Sequence, residues 1–164
     1  MKKKKPIRLY NTPAETGVRL MFILCSTHAN MSLERLQIYD HLVLHISDIS
    51  KEHISIHPSN PSYSSELIAK RNLIQQSLSL LALKGLISIK CTSRGILYAS
   101  NKATEKSLSA LRSKYAGLIE ENSKIVCNLL VDYNDSRLQK QIYMSMEGWA
   151  GEIEKEYAQG RGAQ

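Results

Sequence analysis

The stretch that decides the fold is SSELIAKRNLIQQSLSLLALKGLISIKCTSRGILYAS, residues 64–100. Its first part carries apolar side chains at helical spacing, and a serine pair followed by Glu66 supplies the chemistry of a helix start. Gly85 follows Lys84, as expected where a helix ends in a left-handed residue. These residues therefore predict a helix from about Ser64 to Lys84.

The rest of the stretch changes to the two-residue period of a β-hairpin. Ile87, Ile89 and Cys91 alternate with polar residues, which predicts one apolar and one polar face. Residues 92–95 supply a turn, and a second strand starts at Ile96. A helix and a hairpin after earlier helices is the order of a winged-helix domain. The predicted fold class is therefore mainly α with a small β-hairpin, a winged-helix-like core with flanking N- and C-terminal helices.

Two helices are predicted before this stretch. Residues 12–15 form a capping box with proline at the first helical position, and they start a helix that runs to about Thr27. Its centre is apolar almost all round, so it must be covered on several sides. It is either central to the core or part of an interface with another chain, for which Met21 and Phe22 are the candidates. Ser32 caps the second helix.

Helical spacing returns at Asn101, and a break between two helices is expected around Gly117 and Asn122. The last helix is predicted from about Ser136 to Tyr157. Its apolar residues form a single stripe of Leu138, Ile142, Met146, Trp149, Ile153 and Tyr157. Met146, Trp149 and Ile153 are candidates for a partner interface, with Trp149 as the anchor; the other interpretation of this tryptophan is that it closes the core.

The basic charge lies mostly at the N-terminus. The chain of 164 residues has a formal net charge of +7 from 22 basic and 15 acidic residues. Lys2, Lys3, Lys4, Lys5 and Arg8 supply five of the basic residues before any acidic one. A flexible arm of this kind is either a phosphate-contacting segment or a solvated tail. The four lysines are therefore candidate DNA contacts.

The predicted organisation has four parts. Residues 1–10 are a basic flexible arm, and residues 11–133 are the winged-helix-like domain. Residues 134–158 are a C-terminal amphipathic helix, and residues 159–164 are a disordered tail. No apolar run reaches the roughly 18 residues of a membrane span, which predicts a cytoplasmic protein.

No pattern of residues predicts catalysis or a cofactor. The sequence has no Gly-rich phosphate loop, no nucleophile elbow and no CxxC pair, so we expect a protein that is not an enzyme. His41 and His45 have metal-ligand spacing on a helix, but two histidines alone do not complete a metal site. Asp40 is expected to be a surface acid beside a half-buried His41. The three cysteines, expected to be reduced core thiols, are Cys25, Cys91 and Cys127.

The helix before the hairpin and the hairpin itself offer modest nucleic-acid chemistry. The exposed positions expected on this helix are Gln75, Gln76, Ser77 and Ser79, with basic residues towards its ends at Lys70, Arg71 and Lys84. Lys90 and Arg94 on the hairpin are candidate DNA contacts. These side chains suffice for phosphate contacts and are few for reading base edges. The same helix face suits protein docking equally well.

Several stretches resemble one family in their order and spacing: residues 14–20, 36–42, 56–58, 73–87 and 113–116. Together they resemble the middle component of bacterial ABC-three-component systems, the small subunit of Lamassu-type anti-phage defence. The resemblance covers residues 11 to 157. It implies two larger partners, an SMC/Rad50-like ATPase that senses foreign DNA and a nuclease-type effector. The small subunit would then be an adaptor that holds the effector and reaches DNA mainly through the assembled complex.

A different class of function stays open at this point. A homodimeric winged-helix transcription regulator would place Gln75, Gln76, Lys90 and Arg94 in the grooves of a palindromic site. It would bind DNA tightly and lose that binding as salt rises. The nearly balanced charge of the chain after the N-terminal arm argues against this alternative.

Overall fold

The computed structural model describes residues 11–58 and 63–140. Five helices and one hairpin follow in the order α1 (Pro13–Thr27), α2 (Leu33–Leu44), α3 (Tyr63–Leu83), β1 (Ser88–Thr92), β2 (Gly95–Ala99), α4 (Lys102–Ser109) and α5 (Lys114–Leu129). A single 3-10 turn, Ile46–Asp48, follows α2, and residues 135–140 are helical. The predicted class, mainly α with a small β-hairpin, is confirmed.

Helix α1 is the centre of the core. It packs against α2, α3, α4, α5 and β2, so it is covered on nearly every side. The side chains of the five consecutive residues Leu20–Leu24 are all buried. The first of the two sequence alternatives for α1, a position central to the core, therefore describes this fold.

Both N-terminal helices start where their caps were predicted. The Thr12 side chain accepts a hydrogen bond from the backbone N–H of Glu15, and the Ser32 side chain accepts one from Arg35. The second hydrogen bond of the predicted capping box differs by one residue. The Glu15 carboxylate accepts from the backbone N–H of Asn11 at 2.8 Å, and not from that of the N-cap residue Thr12. Each cap satisfies a backbone donor that the helix leaves without a partner.

Helix α3 ends as the sequence predicts. Gly85 has a φ of 66°, and its N–H donates to the carbonyl of Ala82 at 3.0 Å. The N–H of Leu86 donates to the carbonyl of Leu81 at 2.9 Å, which completes a Schellman motif. This ending turns the chain directly into the hairpin.

The hairpin is anchored to the segment between α1 and α2. Its strands pair antiparallel from Ser88 with Ala99 to Thr92 with Gly95, around a two-residue loop. Met31 forms an isolated bridge with Tyr98, with backbone hydrogen bonds of 2.9 and 2.8 Å. The bridge adds a third extended segment beside β2, which fixes the base of the hairpin against the core.

The break between α4 and α5 lies earlier than predicted. Residues 110–113 separate the two helices, and the Ser113 side chain caps α5 by accepting from the N–H of Ala116. The predicted break at Gly117 and Asn122 is wrong, since α5 continues through both. A single glycine costs a helix only about 1 kcal/mol, and Asn122 is held by a buried hydrogen bond to α2. None of the helices within the described residues combines the length and apolarity that crossing a membrane requires.

Candidate interaction surfaces

An apolar stripe on α5 is left open by the described part of the chain. It consists of Leu111, just before the helix, and of Tyr115, Leu118 and Leu129, and we call it the α5 stripe. Their side chains are 37–47% exposed. When Asn122 and Ile125 are included, successive residues of the stripe lie alternately four and three positions apart. This spacing is typical of a helix face that packs against another helix. Helix α2 covers the middle of this face at Asn122, and both ends remain accessible.

A buried ion-pair network underlies one end of the stripe. Arg19 of α1 donates from Nε and Nη2 to the two carboxylate oxygens of Asp40 in α2, at 2.7 and 3.2 Å. Thr16 accepts from the same guanidinium at 3.1 Å, and Glu15 lies 3.5 Å from it. Burial alone lowers the pKa of Arg19, but the Asp40 carboxylate outweighs it and holds that pKa above its usual value. The hydroxyl of Tyr115 lies 3.5 Å from Glu15, which connects the network to the stripe.

The expectation that Asp40 is a surface acid is wrong. Its side chain is 1% exposed, because the Arg19 guanidinium provides the charge partner that a buried carboxylate requires. His41, expected to be half-buried, is fully buried. Its ring stacks on His45 with centroids 4.4 Å apart, and its Nε2 lies 3.3 Å from Asp48. Within residues 11–58 and 63–140, no three His, Cys, Asp or Glu side chains are placed to share a metal ion.

The hairpin does not bury its apolar side as the alternation predicts. The cross-strand pairs place Ile89, Cys91, Ile96 and Tyr98 on one face, which we call the hairpin face. Ile89 and Ile96 are about half exposed, and Cys91 is exposed rather than a core thiol. Only Tyr98, at the base of the hairpin, is partly buried against the core. The reason is that the hairpin projects from the core and no described element covers its outer half.

The other two cysteines differ from each other. Cys127 is buried, and burial raises the pKa of its thiol to about 11. Cys25 is half-buried, and burial raises the pKa of its thiol as well. The prediction of a core thiol therefore fits Cys127, fits Cys25 in part, and is wrong for Cys91.

The two basic hairpin candidates lie in different surroundings. Lys90 and Arg94 are both exposed. Lys90 lies on the hairpin surface opposite the hairpin face, as the strand register requires. Arg94, in the loop, borders a cavity of about 210 Å³ whose other lining residues are Ser32, Glu34, Arg35, Ile38, Asp135, Leu138 and Gln139. Two carboxylates therefore share the surroundings of Arg94, whereas Lys90 is the clearer candidate for a phosphate.

The outer face of α3 is polar. Gln75, Gln76 and Ser79 are exposed as expected. Ser77 is buried instead, and its hydroxyl donates to the Leu73 carbonyl at 2.7 Å. Lys70 is also buried.

Two further basic residues complete this region. Arg71 forms an exposed ion pair with Glu34 at 2.9 Å, and Lys84 is exposed at the end of α3. With Lys70 buried and Arg71 paired, the accessible basic side chains around α3 are fewer than the sequence indicated.

The remaining partner-interface and DNA-contact candidates are not on a described surface. Met21 and Phe22 are 4% and 5% exposed and lie in the core of this chain, because other helices of the same chain surround α1. They therefore present no surface to a partner in this fold. The candidates that lie outside the described residues are Lys2, Lys3, Lys4, Lys5, Met146, Trp149 and Ile153.

Sequence reasoning missed the α5 stripe and the Arg19–Asp40 pair. The sequence does contain a signal for the stripe, since the residues of α5 supply two adjacent apolar faces when one suffices for a single core. The ion pair has no such signal, because its partners are 21 positions apart on different helices.

These features define a small helical domain whose distinctive surfaces suit contact with other macromolecules. The family profile of "ABC-three component (ABC-3C) system Middle Component 2" matches residues 9–152. The chain therefore belongs to this family of middle components, which supports an accessory role in a multi-component defence system and implies protein partners. Neither a curated protein nor a solved structure gives a significant match.

Proposed function

We propose that this chain is the non-enzymatic adaptor subunit of a Lamassu-type anti-phage complex. In this role it joins an SMC/Rad50-like DNA-sensing ATPase to a nuclease-type effector. The observation that carries the proposal is the open α5 stripe in a chain that belongs to a middle-component family. An adaptor needs an accessible apolar seam on a rigid helix, and α5 supplies one.

The packing of α5 supports its use as a docking element. Ala116, Ile119 and Val126 hold one side of the helix in the core. Leu118 and Leu129 lie on the adjoining side, before and after the part that α2 covers at Asn122, and they remain 40% and 47% exposed. A helix fixed in this way loses little conformational freedom on binding, so the apolar contacts of the stripe are available for affinity.

Expression of the chain with its genomic neighbours tests the proposal, with a tag on this subunit alone. We expect an SMC-like ATPase and an effector to co-elute with it at a fixed ratio. Leu118→Arg should remove at least one of them, because it places a charge in an apolar contact. Ile54→Arg, on an exposed loop outside the α5 stripe, is the control.

Elution of the tagged chain alone contradicts the adaptor proposal. If Leu118→Arg loses neither partner, the assignment of the docking surface to α5 is wrong. Circular dichroism of each variant establishes that the fold is retained. Ile54 is 93% exposed, so Ile54→Arg is expected to leave the free energy of unfolding nearly unchanged, whereas Leu118, 40% exposed, should lose about 1 kcal/mol on replacement by arginine.

A second candidate is a homodimeric winged-helix transcription regulator. The bridge between Met31 and Tyr98 supports the winged-helix interpretation, since it places an extended segment between α1 and α2 beside the hairpin. The exposed amides of Gln75 and Gln76 favour DNA contact, because glutamine can pair with adenine. This candidate predicts that the isolated chain elutes as a dimer and binds one promoter fragment specifically.

The two candidates separate in one DNA-binding measurement. Lys90→Glu should weaken binding by the assembled complex if the hairpin contacts phosphate, and the effect should diminish as salt rises. Gln75→Ala together with Gln76→Ala should relax sequence preference only for the regulator. If none of these substitutions changes DNA binding at low salt, the hairpin and α3 do not belong to the DNA-contacting surface.

A further inference from the structure

The hairpin face is an apolar surface without a cover in the described part of the chain. Ile89 and Ile96 are 48% and 52% exposed, and Cys91 lies between them on the same face. An isolated two-stranded hairpin is only marginally stable in water. A cover over this face would therefore stabilise the hairpin as well as remove apolar area from solvent.

The orientation of the hairpin face is given by its partly buried member. Tyr98 has a raised pKa, first because it is partly buried and then because the Glu34 carboxylate of α2 lies near it. Tyr98 also packs against the hydrophobic core, so the hairpin face is the side of the hairpin that is turned towards the helices. Glu34 and Arg94 line the same cavity, which therefore lies between the start of α2 and the hairpin loop.

The described chain ends beside this cavity. Residues 135–140 are helical, and the Asn134 side chain caps them by accepting from the N–H of Arg137 at 2.8 Å. Leu138 is 2% exposed and belongs to the hydrophobic core. Leu138 and Gln139 line the cavity together with Arg94 of the hairpin loop. The chain therefore leaves the described region immediately next to the hairpin.

The sequence beyond this point continues the apolar pattern of Leu138. Ile142, Met146, Trp149 and Ile153 follow it at spacings of four, four, three and four residues. Residues at such spacings share one face of a helix, so the stripe that begins with a buried leucine would continue towards the same side. Residues 141–157 span about 25 Å as a helix, and a five-residue strand spans about 17 Å.

We propose that residues 141–157 of this chain cover the hairpin face, with Met146 and Trp149 contacting Ile89, Cys91 and Ile96. The occupant is this segment rather than another molecule, because its stripe starts at buried Leu138, which shares a cavity with Arg94 of the hairpin loop. The proposal goes beyond the adaptor function and needs no partner. It assigns the stripe of the last helix to the hairpin and leaves the α5 stripe for partners.

Two natural reporters make the contact measurable in the full chain. Trp149 is the single tryptophan of the sequence, so its fluorescence reports on this segment alone. Cys91 reports on the hairpin face, because maleimide labelling followed by peptide mass spectrometry distinguishes it from Cys25 and Cys127. In the wild-type chain we expect slow labelling of Cys91 and blue-shifted emission from Trp149.

Substitutions on each side of the contact test it reciprocally. Met146→Asp should accelerate labelling of Cys91 by about tenfold, which corresponds to 1.4 kcal/mol, and shift the emission of Trp149 to the red. Ile96→Asp should produce the same red shift from the hairpin side. Lys155→Asp, about half a turn away from the stripe, should change neither reading, and circular dichroism checks that all variants stay folded.

Three results would overturn the proposal. In the first, Cys91 is labelled equally fast in the wild type and Met146→Asp. In the second, Trp149 emits as a solvated side chain in the isolated wild-type protein and shifts to the blue only when partner proteins are added, which assigns the stripe to a partner. In the third, the emission shifts with protein concentration, which assigns it to a second copy of the chain.

Discussion

The Arg19 guanidinium and the Asp40 carboxylate form a two-bond ion pair between α1 and α2, with both side chains 1% exposed. An arginine and a carboxylate in this parallel geometry fix both the distance and the orientation of the two helices. Removal of Arg19 leaves the Asp40 carboxylate buried without its charge partner, and removal of Asp40 leaves the Arg19 guanidinium with only the partly exposed Glu15 carboxylate. The pair therefore holds α1 and α2 in register while apolar packing supplies most of the stabilisation.

We expect Asp40→Leu and Arg19→Met each to lower the free energy of unfolding by about 3–5 kcal/mol, since Arg19→Met leaves the buried Asp40 carboxylate unpaired and Asp40→Leu leaves the Arg19 guanidinium with Glu15 alone. The double variant Arg19→Met with Asp40→Leu should cost less than the sum of the single changes. Urea denaturation of the four proteins measures the coupling. The exposed pair of Arg71 and Glu34 is the control, and its disruption should cost at most about 1 kcal/mol.

Gly85→Ala should destabilise the chain by about 1–2 kcal/mol, because the φ of 66° places a Cβ in the unfavourable left-handed region. No neighbouring atom lies within 4 Å of that Cβ position, so the cost would be conformational rather than steric. Gly117→Ala provides the opposite control. It lies inside α5 with open space around it, and alanine there should stabilise by about 0.5–1 kcal/mol. Thermal melts that rank the two variants in the reverse order would contradict the Schellman ending of α3.

Asn122→Ala should lower the free energy of unfolding by about 1–3 kcal/mol. Its Nδ2 donates to the backbone carbonyl of Val43 at 2.9 Å. That carbonyl lies in the last turn of α2, where the helix itself offers no N–H, so α5 supplies the donor. Asn128→Ala, on the exposed side of the same helix, is the control and should change stability by less than about 0.5 kcal/mol. Equal melting temperatures for the two variants would count against this role of Asn122.

The free energy of unfolding should fall as the pH becomes alkaline, and the thiol of Cys127 contributes to this fall. Its pKa is raised to about 11 by burial, so the folded chain holds the thiol proton more tightly than the unfolded chain does. Its contribution is complete below the unfolded pKa of about 8.5 and is lost as pH rises towards 11. The difference between these two pKa values corresponds to roughly 3 kcal/mol in the free energy of unfolding.

Denaturation at several pH values between 8 and 11 measures this slope. Cys127→Ala should reduce it, although alanine also lowers stability at every pH by leaving a cavity. An identical pH dependence in the wild type and in Cys127→Ala would refute the contribution of this thiol.

Local sequence signals predicted much of the fold. The caps at Thr12 and Ser32 and the glycine ending at Gly85 were found because each depends on residues a few positions apart. The break before α5 was misplaced, since the sequence has a conspicuous glycine at position 117 and the actual cap, Ser113, is one serine among many. Helix α3 starts at Tyr63, one residue before the predicted Ser64, and residues 135–140 are helical from one residue before the predicted Ser136.

The surfaces were less predictable, because exposure depends on distant parts of the chain. The apolar alternation of the hairpin is real, but nothing local indicates that Ile89 and Ile96 project beyond the core. The buried positions of Met21 and Phe22 follow from helices that come 40 to 100 residues later. Asp40 looked like a surface acid because its partner, Arg19, lies on another helix.

The central position of α1 has a consequence for biosynthesis. Among the described helices α1 is synthesised before the others, and it depends on α3 and α5, which follow later in the chain, to cover its apolar sides. Until residue 129 has been translated, the nascent chain carries that surface without its native cover. Contacts of this long range slow folding and extend the period in which aggregation competes with it. Fragments that stop before α5 should therefore be caught by chaperones or lost, which ties the yield of this subunit to completion of its whole helical domain.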